Sequence, residues 1–271
     1  MFYVMGFIAT AQAAEHAAGI SVKLSPYVVG EVFGVPITAT LLTTWLAMAI
    51  LVTLAIVVSR NLQVIPGKLQ NSFELIIGGT YEYVAETLES RTLATKYFPV
   101  LMTIFLFLLA MNLTGLLPGV TSIGMYETHE GTTHLIPFFY PPATDLNMAI
   151  AFAFIAMFVI EMAGIMALGF WKYGSKFFTF RGHTIGERCI DFIVGIIELI
   201  SELGRLISFS FRLFGNIFAG KTLLTVALFF VPLFLPIPIL AYEVFVGFIQ
   251  AGVFAFLTLI FIKLAVAEPH H

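Results

Sequence analysis

Four stretches of this chain, residues 36–59, 98–117, 145–171 and 239–266, are apolar over 20 residues or more. About 20 such residues, coiled as a helix, cover the ~30 Å hydrocarbon core of a bilayer. Inside lipid no water reaches the backbone N–H and C=O groups, so a crossing segment must satisfy them within itself, as a helix does. The composition agrees: 59% of the 271 residues are hydrophobic and 11% charged, against about 25% charged in a soluble domain. The expectation is an all-α integral membrane protein. Its net charge of −3 leaves no basic footprint for nucleic acid. A single cysteine, Cys189, excludes an internal disulfide and a cysteine-based metal cluster, and reads as a small apolar filler.

One stretch breaks the pattern. Residues 198–221, ELISELGRLISFSFRLFGNIFAGK, are apolar enough for lipid yet carry Glu198, Glu202, Arg205, Arg212, Asn216 and Lys221. A guanidinium at bilayer depth costs at least ~3 kcal/mol on insertion scales. On a helix Glu198, Arg205 and Arg212 recur every seven residues and drift only slightly around one face, which Asn216 joins one turn later. Lys221, nine residues past Arg212, points roughly 180° away toward a different neighbour. One face is an ionic track, the pattern of a protein that moves ions. The surrounding 42 residues, 189–230, hold no proline; as one helix they would be ~60 Å long, twice the hydrocarbon thickness. They must bend at glycines or tilt strongly. Pro232, Pro236 and Pro238 then turn the chain. The last helix, 239–266, returns antiparallel, also long and tilted, with Glu243 and Gln250 on one face and Gly247 between them.

The remaining segments are organised around these spans. Residues 1–35 form an N-terminal extracytoplasmic segment, and 36–271 the membrane domain. The Ala11-Gln12-Ala13 triplet resembles a cleavage site, which makes 1–13 a candidate signal peptide; the missing basic region ahead of it fits an interfacial segment instead. Residues 69–96 mix Glu74, Glu82, Glu86, Glu89, Arg91 and Lys96 with apolar residues and read as an amphipathic helix on the lipid surface, its charges solvated. Asn112, near the far end of the second span, is of a kind that bonds a neighbouring helix. The loop 118–144 holds Glu127, His129, Glu130 and His134 in no zinc spacing, and reads as exposed and metal-free. Asp145 is placed to cap the third span. Glu161 lies inside that span, either a functional carboxylate or a partner for a neighbouring helix. The loops 59–97 and 172–188 hold eight Lys and Arg, while 118–144 and 231–238 hold none. Five crossings, N-terminus outside and C-terminus cytoplasmic, satisfy that bias.

RLFGNIFAG at 212–220 resembles the signature of subunit a of F-type ATP synthases. Glu198, MNLTGLLP at 111–118, PPATDLN at 141–147 and IQA at 249–251 fall in that family's order, and the closing EPHH resembles its short acidic tail. The resemblance covers nearly the whole chain and is weakest over the first 35 residues. It implies a non-catalytic stator subunit with no cofactor and no metal. That stator stands beside a rotating ring of c subunits, is held by peripheral-stalk subunit b, and couples proton flow to ATP synthesis in a peripheral ATPase. The membrane implied is a bacterial inner membrane, with an energy-transducing organelle as second choice. Two offset half-channels are implied, with Arg212 facing the ring carboxylates and Asn216 holding or hydrating that region. The outer relay would be Asn112, Asp145, Glu243 and Gln250. The inner exit would be Glu198, with Glu202 and Arg205 nearer the surface. Two facing positions that often hold a carboxylate and a histidine in the family match Lys221 and Glu243. Lys221 either conducts while neutral or forms a fixed ion pair that orients Glu243. The high proton affinity of an amine favours the pair.

Three other readings compete. The charges of 198–212 could be an ion-paired packing face of a scaffold. A stand-alone secondary transporter or channel would show repeats with paired broken helices, which are not visible. An intramembrane enzyme would show His-Glu-x-x-His or G-x-S-x-G, and neither occurs.

Overall fold

The computed structural model describes residues 27–32, 34–60, 67–117, 123–129, 132–174, 185–231 and 234–267. The candidate signal peptide, most of the N-terminal segment and the EPHH tail lie outside them. The protein is an all-α integral membrane protein that carries, among the described residues, two small antiparallel hairpins. Among the described residues four helices are long and apolar enough to cross a membrane: α1 (Ala39–Arg60), α3 (Arg91–Leu116), α4 (Leu146–Leu168) and α7 (Pro236–Val266). A further helix, α6 (Ile185–Phe230), runs 46 residues without interruption at its glycines, about 69 Å at 1.5 Å per residue. It starts four residues before the expected 189. Helix α7 starts at Pro236, with its two prolines in the first turn, where no intrahelical N–H is needed.

The chain divides into two compact units. The first draws on Met1–Ala49, Leu109–Leu146 and Leu213–Gln250. In it β1 (Val28–Val32) pairs with β2 (Val35–Thr38), so residues 36–38 are strand, and α1 begins three residues later than the expected first span. The Thr38 hydroxyl marks the change by accepting the Leu41 N–H at 3.3 Å, a cap for the new helix. The stretch expected to be a plain loop holds a second hairpin, β3 (Gly124–His129) with β4 (Thr132–Pro137), in register at Tyr126 and Leu135. Threonines, Tyr126 and Ile136 carry the strand preference there. A turn of 3₁₀ helix, Pro142–Thr144, leads into α4.

The second unit draws on Ile50–Leu108, Asn147–Arg212 and Ala251–His271. The expected surface helix over 69–96 is two elements. Helix α2 (Lys68–Leu88) ends where Glu89 takes a left-handed conformation, φ 53°. The Ser90 hydroxyl accepts the Leu93 N–H at 3.4 Å and starts α3, so Arg91 and Lys96 belong to α3. On α4 the small residues Ala149, Ala153, Ala156, Ala163 and Gly164 are buried; their spacing brings them to one side of the helix. Phe209 packs between Phe254 and Phe261, with ring centroids at 4.7 and 5.8 Å. The short α5 (Phe170–Gly174) buries Tyr173.

Candidate functional site

The first unit holds a cavity of about 410 Å³ lined mainly by apolar residues, with Asn112, Lys221, Thr225 and Glu243 supplying its polar side chains. Helix α3 delivers Asn112, α6 Lys221 and Thr225, and α7 Glu243. Asn112 is fixed by donating from Nδ2 to the Gly247 carbonyl at 3.0 Å; its Oδ1 is buried and finds no hydrogen-bond partner among the described residues. Glu243 is 5% exposed, and its carboxyl rests so close to Gly220 that a methyl group there would overlap it. Only glycine leaves that space. Lys221 Nζ is also buried without a hydrogen-bond partner among the described residues. It sits over the Tyr140 ring, 3.1 Å from the centroid, a favourable place for a cation. The Tyr140 N–H donates to the Thr43 hydroxyl at 2.9 Å, and its ring meets Tyr27 edge-on at 5.1 Å.

The favoured ion pair between Lys221 and Glu243 is not formed. Both line the cavity, but their charged atoms stay beyond ion-pair distance, and the Lys221 ammonium lies over the Tyr140 ring instead. Elsewhere in this unit Asn216 Nδ2 donates to Gln250 Oε1 at 2.6 Å, leaving Gln250 Nε2 buried without a partner among the described residues. Asp145, at the residue before α4, accepts the Thr40 hydroxyl at 3.3 Å and is 7% exposed.

The ionic track expected over Glu198, Arg205 and Arg212 divides in two. In the second unit Arg205 bonds Glu202 at 2.8 Å, lies 3.8 Å from Glu198, and stacks on Phe261 at 4.8 Å from the ring centroid. Its charge is answered within the chain. Arg212 makes no ion pair among the described residues; Ser208 Oγ, at 3.5 Å, is its hydrogen-bond partner there. Tyr173 lies across Gly164 beside Glu161. Burial first, and then the Glu161 carboxylate, raise the Tyr173 phenol, which stays protonated.

The structure therefore gathers Asn112, Lys221 and Glu243 at one cavity, bonds Asn216 to Gln250, and groups Glu198, Glu202 and Arg205. Two contributors were not foreseen. Tyr140 stands just ahead of the PPATDLN segment and shows nothing in sequence to tie it to Lys221. Gly220 could be noted only as a helical glycine.

Comparison with known proteins adds to this geometry. The family described as ATP synthase A chain matches residues 41–263. The chain is 33% identical over 229 residues to ATP synthase subunit a 3 of Pelobacter propionicus, covering 84% of this chain and 87% of that protein. It is 34% identical to ATP synthase subunit a of Desulfotalea psychrophila over 231 residues, 84% of each. Identity is 32% to the Geobacter sulfurreducens subunit a, over 84% of this chain and 87% of that one.

Proposed function

The chain belongs to the ATP synthase A chain family, and on that premise we propose that it forms two proton half-channels against a rotating ring of c subunits. In this reading it is the membrane-embedded stator subunit a of a bacterial ATP synthase. Subunit b holds it beside the ring, and the C-terminus is cytoplasmic. The chain itself carries out no bond chemistry.

The observation that carries the reading is the isolation of Arg212. A guanidinium in an apolar helix is costly unless paired, and Arg205, seven residues earlier, has two carboxylates to answer it. Arg212 has none among the described residues and is half-exposed. In this reading its counter-charge comes from another chain, and a ring carboxylate passing the helix supplies one. The approach is open: Gly204 and Gly215 meet nothing that a Cβ would touch, so a second helix can come close. Arginine suits the role because it stays charged whatever its surroundings. It pairs transiently with each ionised carboxylate, favours loss of the proton, and seals one half-channel from the other.

Protons reach the ring through the cavity of Asn112 and Glu243 and then past Asn216 and Gln250, whose amide donor, without a partner among the described residues, holds water. Asp145 shapes the outer side. Glu198, with Glu202 and Arg205, forms the way out on the cytoplasmic side.

Replacing Arg212 by alanine tests this. ATP-driven proton pumping in membrane vesicles should vanish while the peripheral ATPase still hydrolyses ATP. Passive proton leak, measured after stripping that ATPase, should persist or rise. Unchanged pumping would sink the reading and leave the charged helix as a scaffold face.

A further inference from the structure

We propose that Lys221 is a specificity-determining residue: seated on Tyr140, its ammonium keeps metal cations out of the 410 Å³ cavity and restricts the outer path to protons. This rests on the half-channel reading above.

The cavity carries one ammonium and one carboxylate, Lys221 and Glu243, and the two do not pair. The ammonium is held from behind. It lies on the Tyr140 ring face, and that ring is fixed by the Thr43 hydroxyl through the backbone N–H and by Tyr27 at its edge. The N–H donors of Lys221 and the Oδ1 of Asn112 have no hydrogen-bond partner among the described residues. Polar groups of this kind in a cavity this size hold water, on the order of ten molecules, and that water solvates the ammonium and carries protons.

The discrimination follows from what each ion becomes at Glu243. A proton is absorbed into an O–H bond and leaves a neutral carboxyl. A metal cation keeps its full charge, needs a shell of oxygen ligands, and finds from side chains one carboxylate, one amide oxygen and the Thr225 hydroxyl, beside the Lys221 ammonium. At a separation of about 6–8 Å and the effective dielectric of a protein, two unit positive charges disfavour one another about 30- to 100-fold.

The test reads that exclusion directly, in the assembled complex in membranes. Cys189→Ser removes the native thiol and Thr225→Cys places one in the cavity lining. Two reagents of similar size then compete, neutral methyl methanethiosulfonate and cationic aminoethyl methanethiosulfonate. The neutral reagent should react readily and the cationic one much more slowly. Lys221→Gln should raise the cationic-to-neutral rate ratio about 30- to 100-fold. Tyr140→Leu should move it the same way, and Tyr140→Phe, which keeps the ring face, should leave it as in the parent. An unchanged ratio in Lys221→Gln overturns the proposal, as does failure of the neutral reagent to reach the thiol. ATP-driven pumping, with and without Arg212→Ala, is recorded in matching membranes. A wrong half-channel reading shows there as unaltered pumping, and a wrong selectivity reading shows only in the rate ratio.

Discussion

Glu243 and Gly220 work as one unit. The carboxyl occupies the volume that a side chain at residue 220 would fill, so its direction into the cavity depends on an atom that is absent. Gly220→Ala should push Glu243 aside without disturbing assembly. Because small misplacements of reacting groups cost large factors in rate, ATP-driven pumping should fall about tenfold or more, measured against the amount of ATPase bound to the membrane. Adding Glu243→Asp, a shorter carboxylate, should recover part of the loss; full activity in the single variant would show that the contact is immaterial. Polar residues such as Asn112, Arg212 and Glu243 were legible in the sequence because lipid makes each one conspicuous. Their partners were less so. That Arg205 is answered by Glu202 and Arg212 by nothing in the described chain depends on side-chain direction, which a seven-residue spacing does not fix. The seating of Lys221 on Tyr140 joins residues 81 positions apart, and no local pattern announces it.

At the level of elements, the long apolar helices follow from hydropathy, while their junctions do not. Glu89 ends α2 in a left-handed turn with neither glycine nor proline to signal it, and so 69–96 reads as one helix. The junction has a tether: Lys263, in the last turn of α7, bonds Glu89 at 2.7 Å. That bond, and the charge behind it, hold the Glu89 carboxyl below the usual carboxylate range. A lowered folded value means the contribution is present in full above the ordinary glutamate value, about 4.3, and is lost as pH falls through the lower folded one. Glu89 is largely exposed and Lys263 partly so, so the effect is small and weakens with salt. Lys263→Ala should return the Glu89 titration toward its ordinary value, followed by NMR on labelled glutamate. It should also flatten the acid side of the thermal-stability profile of the detergent-solubilised complex. A Glu89 titration that ignores the substitution would mean the tether does not persist in solution.

For the molecule as a whole, the charge bias of its loops predicts a direction in the membrane, with the C-terminus cytoplasmic. Trp171, on α5, and Ile123, ahead of β3, are both exposed. With Cys189→Ser as background, a thiol introduced by Trp171→Cys should react with an impermeant reagent in inside-out vesicles alone. One introduced by Ile123→Cys should react only from the opposite side, and the reverse result would invert the topology. The length of α6 then has a consequence for how an ion crosses. Glu198 and Lys221 stand 23 residues apart on one unbroken helix, about 35 Å along its axis, more than the ~30 Å of hydrocarbon. An upright helix could not keep both in lipid; an inclined one can, and part of their separation then lies within the membrane plane. Under the proposed function an ion entering near one and leaving near the other has to travel sideways as well as across, and a turning neighbour is what can carry it there.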